Sequence, residues 1–464
     1  MKMKHAAALF VLLFALLFTA HVSCKELNVF ADAWNSEMNP TFEEAYPDVT
    51  VCNSLEAAAY VSFDQMLVDL LAGENSYDMF YLSMATGHAK TLSDRGYLAD
   101  LGQSELIAQT VSQMPASIQQ QMTTDDGGIF AFPCTLVTTD YLMGFNTEVA
   151  EKLGIEKPET YAEFLDLLAR WDDEYEAKAT EEGLYLVDES YAWTASNFLR
   201  RMVNAYIAGV ADVSTIRYDT EKFRTLMALY DQNRELLTGL RDNTRVMGDG
   251  QPWKSSLIIA NCPLLMDADT EESYGGVVEP MMLSITDDAA DAVIPVDMEA
   301  YSICDGTSNL TLALNYLECR ASSFTAAERI LFAGGKDDTP IERENYAATL
   351  AYYNAIIPAT EAQIEANSEN DEMLEELQAE LAQYKLELDD CLARRYEYIS
   401  ESIRQYASLA EHLRPMPSVS YDYYISQPNT KYLLDSFEQG TVSIDQFVKE
   451  FDYIQMMMNL ESQY

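Results

Sequence analysis

The run from residue 126 to residue 171, DDGGIFAFPCTLVTTDYLMGFNTEVAEKLGIEKPETYAEFLDLLARW, constrains the fold more than any other part of the chain. It reads as two short strands followed by two short helices. An Asp-Asp-Gly-Gly turn leads into the first strand, 129–132, and the second, 141–145, runs directly into a helix opened by Asn146 and Thr147 and closed by Gly154. Pro158 pre-sets the chain for a further helix, where Thr160 and Glu163 have the spacing of a capping box: hydroxyl and carboxylate each satisfy an amide that the helix start leaves unpaired. Between the strands stands a polar stretch, Thr138-Thr139-Asp140. None of these residues is a strong catalytic group, and a polar stretch joining two apolar strands is expected to cross between two lobes.

The residues before this run alternate strand and helix. An apolar strand at 27–31 is followed by a loop at 32–35 and by Asn39-Pro40, an N-cap with proline at the first helical position. Phe42, Ala45 and Tyr46 give that helix its buried stripe, a second strand begins at 49–51, and a helix at 63–71 stops at Gly73 before the apolar run 79–82. This is the period of parallel crossover units, and in open sheets of that kind ligands lie beyond the carboxyl ends of the strands. The rule selects Ala33 to Asn35 after the first strand and Ser83 to Thr86 after the third.

Past the crossing the pattern turns mainly helical, with an amphipathic run at 191–206 and another helix at 218–240. A buried strand at 257–260 ends in Asn261-Cys262-Pro263, and a return strand is expected at 292–295. From 361 to 413 apolar residues recur at steps of three and four, which predicts one long amphipathic helix packed on its own domain. The chain closes with two helices separated by a turn at Gly440, the second capped by Ser443.

A length of 464 residues suits two domains better than one core. The 76 acidic against 29 basic residues, a formal net charge of -47, exclude a nucleic-acid partner, because phosphate binding needs Lys and Arg. At the N-terminus Lys2 and Lys4 precede an apolar run, 6–20, of signal-peptide length and too short to span a bilayer comfortably. Residues 1–24 are therefore expected to be a leader and the protein exported. The tetrad His21-Val22-Ser23-Cys24 resembles a bacterial lipobox, so Cys24 is either lipidated or close to an ordinary cleavage point. Any membrane attachment is expected to be through that N-terminal lipid alone. The six other cysteines are widely and irregularly spaced and read as free thiols, and with His88 and His412 the only histidines beyond the leader no metal site is expected.

No HExxH, GxSxG or phosphate-loop motif is present. Asp267 and Asp269 form a carboxylate pair of the type a glycosidase uses, but such pairs arise by chance among 76 acidic residues. Neither a catalytic residue nor a cofactor is expected.

The order DGGIFAFP, polar crossing, LMGFN, a short helix ending in Gly154 and KPET is similar to the crossing segment of extracellular solute-binding proteins that serve ABC importers, the branch related to maltose-binding protein. TFEEAYPDVTV, AGENSYDMFYLSM, GQPWKSSLIIANCPLLM, VDMEAYSICDGTSNLTLALNYLE and FEQGTVSIDQFVKEF extend the resemblance over nearly the whole mature chain. It implies an α/β, two-lobed periplasmic-binding-protein type II fold: one lobe from 25–137 and about 284–345, and a helix-rich one from 138–283 and about 346–464, enlarged by the helical insertion 361–413. It also implies a monomer that captures a small solute, a carbohydrate above all, in an interlobe cleft and delivers it to the transmembrane subunits of an ABC permease. A cationic or peptide-like solute is the alternative within this fold; a secreted hydrolase and a surface scaffold protein are alternatives outside it.

Sugar-binding members stack aromatic rings on the solute and hydrogen-bond its hydroxyls. Carried over by position, the resemblance nominates Trp34, Asn35, Ser83, Met84 and Thr86 in the first lobe and Thr138 and Thr139 in the crossing. In the second lobe it nominates Tyr191, Trp193, Asn261, Leu264, Asp267, Tyr421, Asp422 and Tyr424. Leu264 stands where carbohydrate binders often present Trp.

Overall fold

The computed structural model describes residues 25–31, 40–54, 61–140, 142–188, 195–210, 216–239, 254–288, 291–367, 371–416 and 428–461. Its strands are β1 (Lys25–Ala31), β2 (Val49–Asn53), β3 (Met79–Ser83), β4 (Phe132–Thr138), β5 (Leu142–Asn146) and β6 (Tyr185–Val187). They continue with β7 (Ser256–Cys262), β8 (Val278–Met281), β9 (Ile294–Ile303), β10 (Ile341–Glu342), β11 (Tyr396–Tyr398) and β12 (Leu413–Pro415). The chain packs into two compact units. The first comprises Met1–Ser112, Gln119–Thr135 and Met298–Phe324, the second Gln113–Ile118, Leu136–Asp297 and Thr325–Tyr464. β4 and β9 pair with each other, and each runs through a unit boundary, at 135/136 and 297/298 respectively.

In the first unit the strand order is β2-β1-β3-β9. β1 pairs in parallel with β2 and β3, as crossover helices require, while β3 runs antiparallel to β9 with Met79 opposite Ile303. The helix between β2 and β3, Phe63–Ala72, starts at Ser62, whose hydroxyl accepts from the Gln65 amide, and ends at Gly73 with φ at +73°. Met79 to Leu82 are all buried, as a continuous apolar run covered on both faces should be. Asp78, just before β3, is buried as well. Its carboxylate accepts from the Asn28 amide (2.9 Å), the Thr307 hydroxyl and the Asn309 side-chain amide (3.2 Å), tying β1, β3 and the turn after β9 together.

The second unit is built on the order β6-β7-β5-β8, with β6 and β7 parallel and β5 antiparallel to both neighbours. Gly144 lies in the crowded middle of β5, where a Cβ would approach Val278 Cγ1 to 2.6 Å, so only glycine lets the two strands close up. Asn146 accepts from the Val149 amide at the start of Thr147–Leu153, and both halves of the Thr160–Glu163 capping box are formed. An aromatic core draws in the C-terminal helices: Phe437 and Phe447 stack at 4.2 Å, and Tyr218 meets Phe451 at 4.4 Å. The Ser443 hydroxyl caps the last helix by accepting from the Gln446 amide. β12 pairs in parallel with the part of β9 that belongs to this unit.

Two expectations change. The strand expected at 129–132 begins only at Phe132; Ile129 makes an isolated bridge with Thr123, and the Phe130 amide donates to the Met122 carbonyl, so these residues close a local turn. The single helix expected over 361–413 is instead a pair, Tyr346–Ala366 and Asp371–Ala393, followed by β11 and the helix Ser400–Ala410. The pair is antiparallel, joined by Lys385 to Glu361 (2.8 Å) and by the Tyr353 hydroxyl to Glu387 (3.1 Å). β10 and β11 close its base, with Arg395 on Glu342 (2.7 Å).

All six described cysteines are free. Burial pushes the Cys134 and Cys262 thiols up to about 12. No described helix is long and apolar enough to cross a membrane.

Candidate functional site

At the carboxyl end of β3, Ser83 passes into a tight turn, Met84–Thr86, which Gly87 ends with φ at +77°. The Thr86 hydroxyl donates to the Ser83 carbonyl (2.8 Å) and accepts from the His88 amide, so it shapes the turn it stands in. Met84 is 5% exposed, whereas Ser83 and Thr86 are half-buried. The His88 ring lies flat on Phe63, with centroids 3.5 Å apart.

A polar pair in the same unit escaped sequence reading. The Tyr81 hydroxyl donates to Glu299 (2.5 Å), and the Thr135 hydroxyl donates to the same carboxylate (3.3 Å). Burial first, and the Glu299 hydrogen bond second, drive the Tyr81 phenol far above its ordinary value. The alternation of Asp297, Glu299 and Tyr301 along β9 was the available signal, since period two separates the two faces of a strand.

The crossing is held from one side. The Thr139 amide donates to the Pro295 carbonyl (2.9 Å), and its hydroxyl is buried without a partner among the described residues. Asp140 accepts from Arg200 Nε (2.9 Å) and Asn204 Nδ2 (2.7 Å), and Arg200 also donates to the Thr139 carbonyl (3.2 Å). The helix Ala195–Ala208 thus grips the crossing through two of its polar side chains. Thr138, half-buried, ends β4.

In the second unit the expected residues cluster where β7 turns into the helix Ala268–Tyr274. Asn261 is exposed and its carbonyl accepts from the Tyr274 hydroxyl (3.3 Å); Leu264 is half-buried. Asp267 is that helix's N-cap, accepting from the Thr270 amide (2.7 Å), and Asp269 pairs with Arg343 (2.6 Å). The two carboxylates that resembled a glycosidase pair are thus a cap and an ion-pair partner. Ser83, Met84 and Thr86 come together in one turn of the first unit, and Asn261, Leu264 and Asp267 in one segment of the second. Trp34, Asn35, Tyr191, Trp193, Tyr421, Asp422, Tyr424 and Cys24 lie outside the described residues.

Residues 38–319 match the model of a bacterial extracellular solute-binding protein family. The chain belongs to that family. Comparison with curated proteins returns no match for this solute-binding protein. Its fold is similar to that of the binding protein msme of Bacillus subtilis, solved in an open conformation, at 10% identity and a TM-score of 0.56 over 96% of this chain and 100% of the other. It is also similar to the galacto-N-biose-/lacto-N-biose I-binding protein of the Bifidobacterium longum ABC transporter in complex with lacto-N-biose, at 12% identity and a TM-score of 0.51 over 95% and 98% of the two chains. Maltose-bound MalE3 of T. maritima matches at 12% identity and a TM-score of 0.50, over 93% and 99%. At such identities the likeness speaks for the fold alone, which is the mixed α/β, type II periplasmic-binding-protein fold with a high helical content.

Proposed function

We propose that this solute-binding protein captures a small carbohydrate and delivers it to the transmembrane subunits of an ABC permease, acting as an exported monomer without chemistry of its own. The family match across 38–319 carries this reading. That lacto-N-biose and maltose occupy two proteins of similar fold supports the solute class. In the proposal each unit supplies side chains to the solute. Ser83 and Thr86 with Trp34 and Asn35 serve from the first, Asn261, Leu264 and Asp267 with Tyr191 and Trp193 from the second, joined by Thr138 and Thr139 and by Tyr421, Asp422 and Tyr424. Leu264 in place of an aromatic platform points to a sugar held more by hydrogen bonds than by stacking. Cys24 is proposed as the lipid attachment point.

Melting curves against a solute panel test the reading. A bound sugar should stabilise by RT ln(1 + [L]/Kd), about 2.7 kcal/mol at a hundredfold excess over Kd, and be recovered unchanged. Asn261→Ala should weaken the sugar's hold while leaving the unliganded melt in place. Stabilisation by cationic or peptide-like solutes alone would replace the carbohydrate; turnover of the solute would replace the receptor.

A further inference from the structure

A half-open cavity of about 40 Å³ lies in the second unit, beside the crossing. Leu142, Met143, Met281 and Leu283 give it an apolar wall, and Asp140, Tyr161 and Arg201 add polar groups. None of the residues expected to touch solute lines it.

Its two donors lack acceptors. Tyr161 is 4% exposed, and among the described residues its hydroxyl has no hydrogen-bond partner. Arg201 follows Arg200 on the helix Ala195–Ala208, so the two side chains leave that helix about 100° apart. Arg200 is the one that holds Asp140 and the Thr139 carbonyl. The Arg201 guanidinium lies 5.8 Å from the Phe198 ring centre and has neither an ion pair nor a hydrogen bond among the described residues. Burial lowers its pKa from the ordinary arginine value, opposed by Asp140 and Tyr161, yet a guanidinium stays charged. Burial also raises the Tyr161 phenol, which therefore remains a donor at neutral pH.

We propose that this cavity holds a small monovalent anion, chloride or a short carboxylate, between the Arg201 guanidinium and the Tyr161 hydroxyl. A buried phenol without an acceptor is costly, and the half-buried guanidinium beside it shares its space only with a carboxylate already held by Arg200 and Asn204. Water would satisfy the phenol and leave the charge; an anion answers both. The volume is more than a single water needs and leaves room for chloride or formate. Asp140 faces the same space at 11% side-chain exposure, but its oxygens already accept from Arg200 and Asn204, which spends its charge on the helix.

The full chain, dialysed free of halide, is melted in sodium gluconate into which chloride, bromide or formate is titrated at constant ionic strength, so that screening is the same throughout. The wild type should melt progressively higher with chloride, the ratio of chloride to formate midpoints reporting which source the site prefers. Arg201→Met should abolish the rise, and Tyr161→Phe should shift its midpoint about tenfold upward, the loss of one hydrogen bond to a charged group. Bromide should give anomalous scattering inside the cavity of a crystal. Melting that ignores the anion, or an unchanged anion response in Arg201→Met, would overturn the proposal. Should Arg201→Met not fold, Tyr161→Phe decides, since it removes a single atom and an unshifted midpoint rejects the site.

Discussion

Asp78, buried in the first unit, and Arg201, half-buried in the second, are both charged groups drawn into the fold, and it treats them in opposite ways. Asp78 accepts from a backbone amide of β1 and from a hydroxyl and a side-chain amide of the turn after β9. Arg201 faces a cavity with an aromatic ring and a carboxylate engaged elsewhere for company. The first arrangement is complete, and its charge serves as a knot between strands. The second leaves its donors open, which in a folded chain is the signature of a group that meets its partner from solution. Closed clusters should respond to mutation alone, open ones to mutation and to medium.

Breaking the closed cluster should have the largest effect. Asp78→Ala leaves three half-buried donors without their acceptor, and about 3 kcal/mol of stability should be lost in urea denaturation, equally in chloride and gluconate. Cys134 and Cys262 report on the two units separately, since burial holds both thiols at about 12 and so keeps them slow towards thiol reagents at pH 8. In Asp78→Ala the labelling of Cys134 should quicken at least tenfold while that of Cys262 stays slow. Equal acceleration of both would mean that the units open together, and the contrast between two independent clusters would be lost.

Asp140→Asn attacks the rim of the open cluster and should cost less, about 2 kcal/mol, because an amide still offers Arg200 one acceptor. It should also enlarge the rise in melting temperature produced by chloride, because among the described residues Asp140 is the only carboxylate lining the cavity. A smaller anion response in this variant would show that Asp140 holds the site in shape rather than opposing the ion.

Legibility followed the range of the interactions. Asn146, Gly154, Thr160 with Glu163, and Ser443 announce helix ends because a cap is made within three or four residues, and each stands where the sequence places it. The fold class could be read for a similar reason, from strand and helix alternating at crossover spacing between 27 and 82. The helix pair at 346–393 could not, because periodicity reports a helix and its face but not the position at which Lys385 finds Glu361. Of the solute candidates, Thr86 and Asp267 have local duties in a turn and a cap. For Asp267 this was foreshadowed by threonine three residues on, at the first turn of a helix. Tyr161 and Arg201 are forty positions apart and on different helices, so nothing local joins them. The one hint was a pair of adjacent arginines in a chain with a net charge of -47.

The smallest effect tests how the open cluster is positioned. Thr160 accepts from the Glu163 amide (3.0 Å), and Glu163 accepts in return from the Thr160 amide (3.2 Å), which fixes the first turn of Tyr161–Arg170 and with it the residue that begins it. Thr160→Ala removes half of this box and should cost about 1 kcal/mol, the usual loss for a helix cap. Tyr161 keeps its hydroxyl but loses the lock on its direction, so the chloride midpoint should rise by less than in Tyr161→Phe, two- to threefold by the ~0.5 kcal/mol that a partly misplaced hydrogen bond forfeits. A midpoint identical to wild type would show that the strands around the cavity, not the cap, aim the phenol; one as high as in Tyr161→Phe would make the cap the sole support of that half of the site.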